Sequence, residues 1–439
     1  MDELRIRVVT YNVAGKSPCE DLNEMFNLEG ILDNKLPPDF YIIGLQEVKS
    51  TPHNYILDTL FSDPWTKVFR DLLAPYGYVK VKTVRLVGIV MSMFCLRKHI
   101  IHLRDMKTLC TRTGLKGLWG NKGGTSQRLQ IYGCSLCFVN CHLAAHDKYL
   151  KERISDYNTI LNYQKFMHLV EYQHILFHDY IFWFGDLNFR LAEDSLSAEE
   201  ILIKINSKEY KTLLNLDQLK AVMASGEAFS ELIEPDITFK PTYKYFANSN
   251  EYDLGRRPAW TDRILYKVNE NVYENVTLSA KPDCYESVDE ICVSDHKPVV
   301  ATFTIKVFSN YAERCVRIAP IGNWYANTIN KAFCFLGEDV QPSIWDWVGV
   351  FQDGFTSLEE YVAFIYISNN HTDLMGTTVA VTPPKNGDKI ELNFYENIIR
   401  MPGKYRLLYF THDSGSVLGM SQPFELVGSD EQPGASLEW

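Results

Sequence analysis

Four apolar, β-rich runs each end on polar residues of the kind that bind metal or move protons, and this repetition constrains the fold more than any other feature. Arg5 to Thr10 leads to Tyr11-Asn12, Tyr41 to Leu45 to Gln46-Glu47, Leu136 to Val139 to Asn140-Cys141-His142, and Tyr180 to Gly185 to Asp186-Leu187-Asn188. One Asn or Asp at the end of a strand commonly does no more than start a turn. Four in one region point to neighbouring strands whose polar ends meet on one rim of a sheet, where α/β proteins place their ligands. A fifth element, Ser294-Asp295-His296-Lys297-Pro298, precedes the strand-like Val299 to Ile305 and adds an Asp-His pair.

Short β-rich runs alternate with amphipathic stretches such as Leu150 to Tyr172 as far as about residue 305, the pattern of a layered α/β domain. From about Tyr311 short strands rich in Val, Tyr, Phe and Ile are broken by turns such as Asp353-Gly354 and Asp413-Ser414-Gly415, as in a small β-sandwich. A chain of 439 residues has room for both. The expected division is 1–308, 311–427 and a flexible tail at 428–439, where Gly, Ser, Asp, Glu and Pro predominate. In the second unit Trp345 and Trp347 are two residues apart, so a strand would put both on one face, packed in the core.

The N-terminus has neither the basic start nor the apolar stretch of a signal peptide, and the longest apolar run, Leu86 to Leu96, is about half of a membrane-spanning helix. A cytoplasmic protein, peripheral to membranes, is expected. Its ten cysteines are scattered, and the lone CxxC of Cys134 and Cys137 reads as buried reduced thiols rather than a zinc site. A net charge of -11 argues against a nucleic-acid partner.

Glu47 and Asn12 supply hard oxygen ligands suited to magnesium. Asp186 can orient or deprotonate a water, while His296 and His142 can donate to phosphoryl oxygens as charge builds. No cysteine is followed six residues later by arginine, and there is no GxxxxGK[ST] loop, so thiolate phosphatase and nucleotide-driven chemistry have no support. Gly120-Asn121-Lys122-Gly123-Gly124 reads as a turn-like segment whose amides and Lys122 face an anion. Pro241-Thr242-Tyr243-Lys244 and Arg256-Arg257-Pro258-Ala259-Trp260-Thr261-Asp262-Arg263 offer cations beside aromatic rings, the groups that recognise further phosphates.

The strings WGNKG at 119–123, NCHLAAH at 140–146, WFGDLNFR at 183–190, PTYK at 241–244, RPAWTDRIL at 257–265 and SDHKPV at 294–299 together resemble the inositol polyphosphate 5-phosphatase family over about residues 5–305. WDWVGVFQDG at 345–354 and YRLLYFTHDSGSVLGMSQPFEL at 405–426 resemble the SKICH domain. The resemblance implies a four-layer α/β/β/α sandwich like that of DNase I, followed by an immunoglobulin-like β-sandwich. It implies Mg2+ on Glu47 and Asn12. Asp186 and Asn188 address the water and the scissile phosphate, and His296 acts beside Asp295, oriented by Asp262.

His142, with His146 and Arg190, is implied at the 5-phosphate or the adjoining ring, and Tyr243, Lys244 and Arg256 at the 4-phosphate. The family often has a further basic residue where this chain has Leu254-Gly255. The implied activity is removal of the 5-phosphate from phosphatidylinositol 4,5-bisphosphate, the 3,4,5-trisphosphate and soluble inositol phosphates, by direct in-line attack of water. Implied partners are a phosphoinositide membrane, at the endoplasmic reticulum or plasma membrane, and a protein that meets the SKICH-like domain. Two alternatives are another phosphodiesterase of the same fold and a catalytically weak scaffold acting through the SKICH-like domain. Leu143, beside His142, is a candidate for contact with acyl chains.

Overall fold

The computed structural model describes residues 2–18, 21–28, 37–49, 63–114, 119–168, 171–192, 195–270, 276–309, 315–338, 340–367, 389–395 and 399–428. The expected tail beyond Gly428 lies outside them. Two compact units are formed. The first comprises Met1–Leu96, Lys107–Leu129 and Gly133–Ser309, the second Arg97–Met106, Gln130–Tyr132 and Asn310–Trp439.

The first unit contains two sheets. One has six strands, β1 (Asp2–Asn12), β2 (Phe40–Gln46), β3 (Tyr78–Leu86), β4 (Ile89–Leu96), β12 (Ala280–Ser287) and β13 (Val299–Val307), in the order β12-β13-β1-β2-β4-β3. The other has five, β5 (Arg104–Thr113), β6 (Trp119–Ile131), β7 (Cys134–His142), β10 (Tyr180–Asp186) and β11 (Asp262–Val268), in the order β11-β10-β7-β6-β5. A hairpin of β8 (Lys165–His168) and β9 (Glu171–His174) stands apart from both. The polar strand ends therefore do not share one sheet, as the sequence suggested, but belong to two parallel pairs, β1 with β2 and β7 with β10. Strand periodicity fixes which residues share a face and leaves the partner sheet undetermined.

Alternation then sorts the side chains. Val9, Tyr11, Tyr41, Ile43 and Leu45 pack in one core cluster with Trp65, Phe69 and Leu73 of the helix Pro64–Leu73. That helix starts where the Asp63 carboxylate accepts from the Trp65 and Thr66 amides, with Pro64 at its first position. Cys137, Val139, Cys141, Ile181 and Trp183 pack with Tyr157 and Ile160 of the helix Leu150–Tyr163 and with Leu219 and Val222 of the helix Gln218–Ser225. The alternate residues face the other sheet. Phe138 stacks on Phe182, whose ring meets Phe303 with centroids 5.0 Å apart. Helices outside and two sheets inside make four layers. The sheets approach closely at Gly44, where an added Cβ would lie 2.4 Å from the Phe184 ring.

The second unit is a β-sandwich. One sheet is β14 (Val316–Ile318), β16 (Asn330–Leu336) and β19 (Lys389–Phe394), in the order β14-β16-β19. The other is β15 (Trp324–Tyr325), β17 (Trp347–Gln352), β18 (Tyr361–Tyr366), β20 (Gly403–Phe410) and β22 (Phe424–Val427), with β21 (Val417–Met420) paired to β20. Trp324, between Phe394 and Phe424, joins the two faces. The two tryptophans expected on one face separate: Trp347 is in β17 and stacks on Phe410, whereas Trp345 precedes the strand in a turn and is 53% exposed. Between them the buried Asp346 accepts from the His412 amide and the Tyr409 hydroxyl, which ties this turn to β20 and its end.

Candidate active site

The same alternation delivers the polar residues into the space between the sheets. Asp186 ends β10 opposite His142 of β7 on one side and Asp262 of β11 on the other. Asn12 ends β1 opposite Gln46 of β2. Gln46 Nε2 donates to Asn140 Oδ1 across the sheets at 2.7 Å, and Asn12 Nδ2 donates to Asp186 Oδ2 at 2.9 Å. The Ser294 hydroxyl donates to the Asn12 carbonyl at 2.6 Å, bringing the segment before β13 to the same place.

Asp186 is buried, which by itself raises a carboxyl pKa. The hydrogen bond and charge of His142, with His296 and Lys122 nearby, instead hold it well below the ordinary carboxylate range. It is therefore ionised and can orient a water. His142 Nε2 lies 3.2 Å from Asp186 Oδ2 and also meets Lys122 Nζ. Burial, then the Lys122 charge, lower the His142 pKa, so its imidazole is neutral. Burial likewise lowers Lys122, to about 8, against the pull of Asp186 and Glu47.

His296 behaves oppositely. Its Nδ1 is 2.9 Å from Asp262 Oδ2, an oxygen that also accepts from the Thr242 and Thr261 hydroxyls at 2.7 and 2.9 Å. Burial lowers the His296 imidazole and raises the Asp262 carboxyl, and the His296 charge together with the donors converging on one oxygen works against that rise at Asp262. The Asp262 charge and hydrogen bond, with Asp186 and Asp295 behind them, raise His296 to about 9. With Nδ1 engaged, Nε2–H is the proton that His296 can offer.

Asn12 Nδ2 also donates to Glu47 Oε1 at 3.2 Å, so two carboxylates converge on one neutral amide, with Glu47 half-exposed. This excess of hard oxygen at an accessible edge fits a divalent cation. The Asn12 Oδ1 faces the Ala14 amide, and its presentation to an ion requires the amide to turn over. Asp186, Asp262 and His296 also place possible ligand atoms within 4.8 Å of one another. The hydrogen bonds on Asp262 and His296 mark those two as an acid-base pair rather than a cation cage.

Around this centre lies a basic fringe. Asn188, with φ +57°, donates through Nδ2 to the Leu143 carbonyl and accepts from Arg190 Nη2 at 2.6 Å. The Arg190 guanidinium lies over the Tyr243 ring at 4.4 Å, and that ring lies 4.6 Å from the His296 ring. Lys244 Nζ sits 3.6 Å from Asp253 and 3.8 Å from Asp295. His146 and Arg256 are exposed, and partial burial, followed by the charges of Arg256, Arg190, Lys122 and Lys148, lowers the His146 pKa. Positive potential of this kind suits a polyanion.

Three readings need correction. The glycine-rich 120–124 is not a turn but part of β6, where Gly123 at φ +146° lies so close to β5 that a Cβ would stand 2.1 Å from the Thr111 carbonyl. Its role is to bring Lys122 to His142. Leu143 is fully buried among Tyr157, Ile160 and Phe189 and cannot meet acyl chains. Arg257 and Arg263 do not face the site. Arg257 bonds the Ala192 carbonyl and Ser195, while Arg263 is buried and pairs bidentately with Glu234 at 2.6 Å and with Asp217 at 3.0 Å.

Breaking that buried ion cluster leaves Asp217 without its cation and Glu234 with the longer Lys220 contact at 3.7 Å, so Arg263→Met should cost about 3–5 kcal/mol. The thermal midpoint should fall by on the order of 10 °C. A calorimetric midpoint within about 2 °C of the parent would show that the cluster contributes little.

The comparisons with known proteins agree with this geometry. Endonuclease/Exonuclease/phosphatase family 2 matches residues 9–302, and the SKICH domain matches residues 316–426. Human phosphatidylinositol 4,5-bisphosphate 5-phosphatase A is 35% identical over 96% of this chain, which spans 41% of that protein. Mouse inositol polyphosphate 5-phosphatase K is 32% identical over 96% of this chain and 90% of its own length. Among solved structures, the inositol polyphosphate 5-phosphatase domain of SPsynaptojanin, in complex with inositol (1,4)-bisphosphate and calcium ion, covers 70% of this chain and 86% of its own, with TM-score 0.59 and 31% identity. Cimex nitrophorin, at TM-score 0.55 and 24% identity over 70% of this chain and 99% of its own, shares the fold alone. The chain belongs to the inositol polyphosphate 5-phosphatases of Endonuclease/Exonuclease/phosphatase family 2, with a SKICH domain following the DNase I-like domain.

Proposed function

We propose that this chain hydrolyses the 5-phosphate of phosphatidylinositol 4,5-bisphosphate and 3,4,5-trisphosphate, and of soluble inositol phosphates, with magnesium as cofactor. The observation that carries the reading is one cluster in which an ionised Asp186 and a protonated His296 stand beside the basic fringe of His146, Arg190, Lys244 and Arg256. Asp186 orients the attacking water, aided by the hydrogen bond from the Asn188 amide that fixes its Oδ1. His296 offers its Nε2 proton to phosphoryl oxygen and Lys122 donates beside it, while neutral His142 gives its Nε2–H to Asp186. Glu47 with Asn12 would hold the ion, which when bound supplies electrostatic stabilisation of phosphoryl charge. Cys141 turns to the helix side, buried and with a strongly raised pKa, so it is no rival nucleophile and the attack is direct.

Tyr243, Lys244 and Arg256 are proposed to read the 4-phosphate. Lipid substrates place the site at a membrane, and none of the described helices is long and apolar enough to cross one. We place the chain in the cytoplasm, peripheral to the endoplasmic reticulum or plasma membrane, with the SKICH domain meeting a protein partner.

Magnesium-dependent phosphate release from a panel of phosphoinositide vesicles and soluble inositol phosphates, with Asp186→Ala as the blank, tests the reading. Release confined to 5-phosphorylated substrates is expected. A folded protein that releases phosphate from none of them would overturn it.

A further inference from the structure

Arg153, in the helix Leu150–Tyr163, is fully buried, yet no carboxylate among the described residues lies within ion-pairing distance of it. Its Nη1 donates to the Ala144 and His146 carbonyls at 3.1 and 2.7 Å, and its Nη2 to the Asp147 carbonyl at 3.3 Å. The chain after β7 is thus wrapped around one guanidinium. One helical turn on, Asp156 Oδ2 accepts from the Ala144 amide at 2.9 Å and grips the same loop from its N–H side. The loop carries His146, a non-glycine residue at φ +72°, a conformation that needs support from outside itself.

Nη2 also donates to Gln218 Oε1 at 2.7 Å, and that oxygen accepts the Arg190 backbone N–H at 3.0 Å. The two arginines hang on one oxygen, and the guanidinium of Arg153 lies 5.4 Å from the Phe189 ring between them. Arg153 is a planar fork that reaches three carbonyls and an amide oxygen at once, a set that a lysine ammonium on one stem cannot span. A buried cation with only neutral acceptors is costly to a fold, and a salt-free apolar residue would pack this helix as well.

We infer that Arg153, through Gln218, is a positioning residue that holds His146 and Arg190 in the one relative geometry that receives the substrate's phosphates. The role rests on the phosphatase reading above and extends it to residues that touch no substrate. Substrate binding should suffer more than the chemical step, because Asp186, Asp262 and His296 are held by other contacts.

The test uses Arg153→Lys and Gln218→Ala in the full chain, with soluble inositol 1,4,5-trisphosphate as substrate. Each should raise KM by about tenfold while kcat stays within about threefold. His146→Ala added to either should lose most of its separate effect, as for coupled residues. A readout that needs no turnover is the titration of the His146 imidazole followed by NMR. Its midpoint lies below the ordinary value in the parent and should rise in both variants as the loop moves away from Arg190 and Arg256. Additive kinetic effects with an unmoved His146 titration would overturn the inference. Should the parent fail to hydrolyse the trisphosphate, the function reading falls, and the titration still decides the positioning role. If Arg153→Lys does not fold, Gln218→Ala, which keeps the guanidinium, carries the test.

Discussion

Asp186→Asn should lower turnover of a 5-phosphorylated substrate by on the order of 10³-fold. The carboxylate receives the Asn12 amide, the His142 imidazole and the Asn188 N–H, and this convergence keeps it ionised in a buried place. Asparagine has the same shape but offers one acceptor and one NH2, so a donor then faces Asn12 or His142 and the negative charge is lost. The water that attacks phosphorus loses the anion that orients it. Single-turnover phosphate release, with circular dichroism to confirm the fold, measures this. Turnover within about tenfold of the parent would transfer the water-orienting role to another group, His142 being the nearest.

Asn12, His142 and Asp186 were legible as the polar ends of apolar runs, and Asp262 through the resemblance of its motif; strand parity explains why all four meet. Asn12, His142, Asp186 and Asp262 each lie on the inward-facing register of strands whose outward residues are apolar, and a period of two in sequence is a statement about faces. The two-sheet sandwich came from the resemblance of the motifs, whereas the sheet to which each polar strand end belongs was not legible, because the same parity holds whichever sheet a strand joins. Gln46 and Asn140, which pin the sheets together, look in sequence like ordinary polar ends of strands.

Arg153, Asp156 and Gln218 were missed for a related reason. On an amphipathic helix an Arg or Asp reads as the solvated face, and the loop after β7 folding back over that face covers Arg153 and Asp156. Gln218, at the start of another helix, is buried where it meets Arg153 and the Arg190 amide. Leu143 was misread in the opposite sense, since its place beside His142 in sequence says nothing of the core of Tyr157, Ile160 and Phe189 that encloses it. The segment 120–124 looked like a turn because glycine is the common residue of turns. Here the cause is close approach of β5 and β6 at Gly123.

Asp262→Asn should change the pH dependence of the reaction as well as its rate. In the parent His296 is raised from the ordinary 6.5 to about 9, so it stays protonated through neutral pH and its own contribution to the rate should be lost as pH rises through about 9. The same sign governs stability: the contribution of the pair is complete below about 6.5 and is lost as pH rises through about 9. With asparagine the charge that offsets burial is gone, and burial then lowers the imidazole towards or below its ordinary value. At pH 8 the protonated fraction should drop from roughly nine-tenths to about 3%, a loss of roughly 30-fold, whereas at pH 6 parent and variant should lie within a few-fold of each other. The Thr242 and Thr261 hydroxyls can still donate to the asparagine oxygen, so the local structure should persist. A pH–rate profile of kcat over pH 5.5 to 9.5 is the measurement. A profile lowered equally at every pH, with its alkaline limb still near 9, would mean that Asp262 orients the His296 ring without setting its charge.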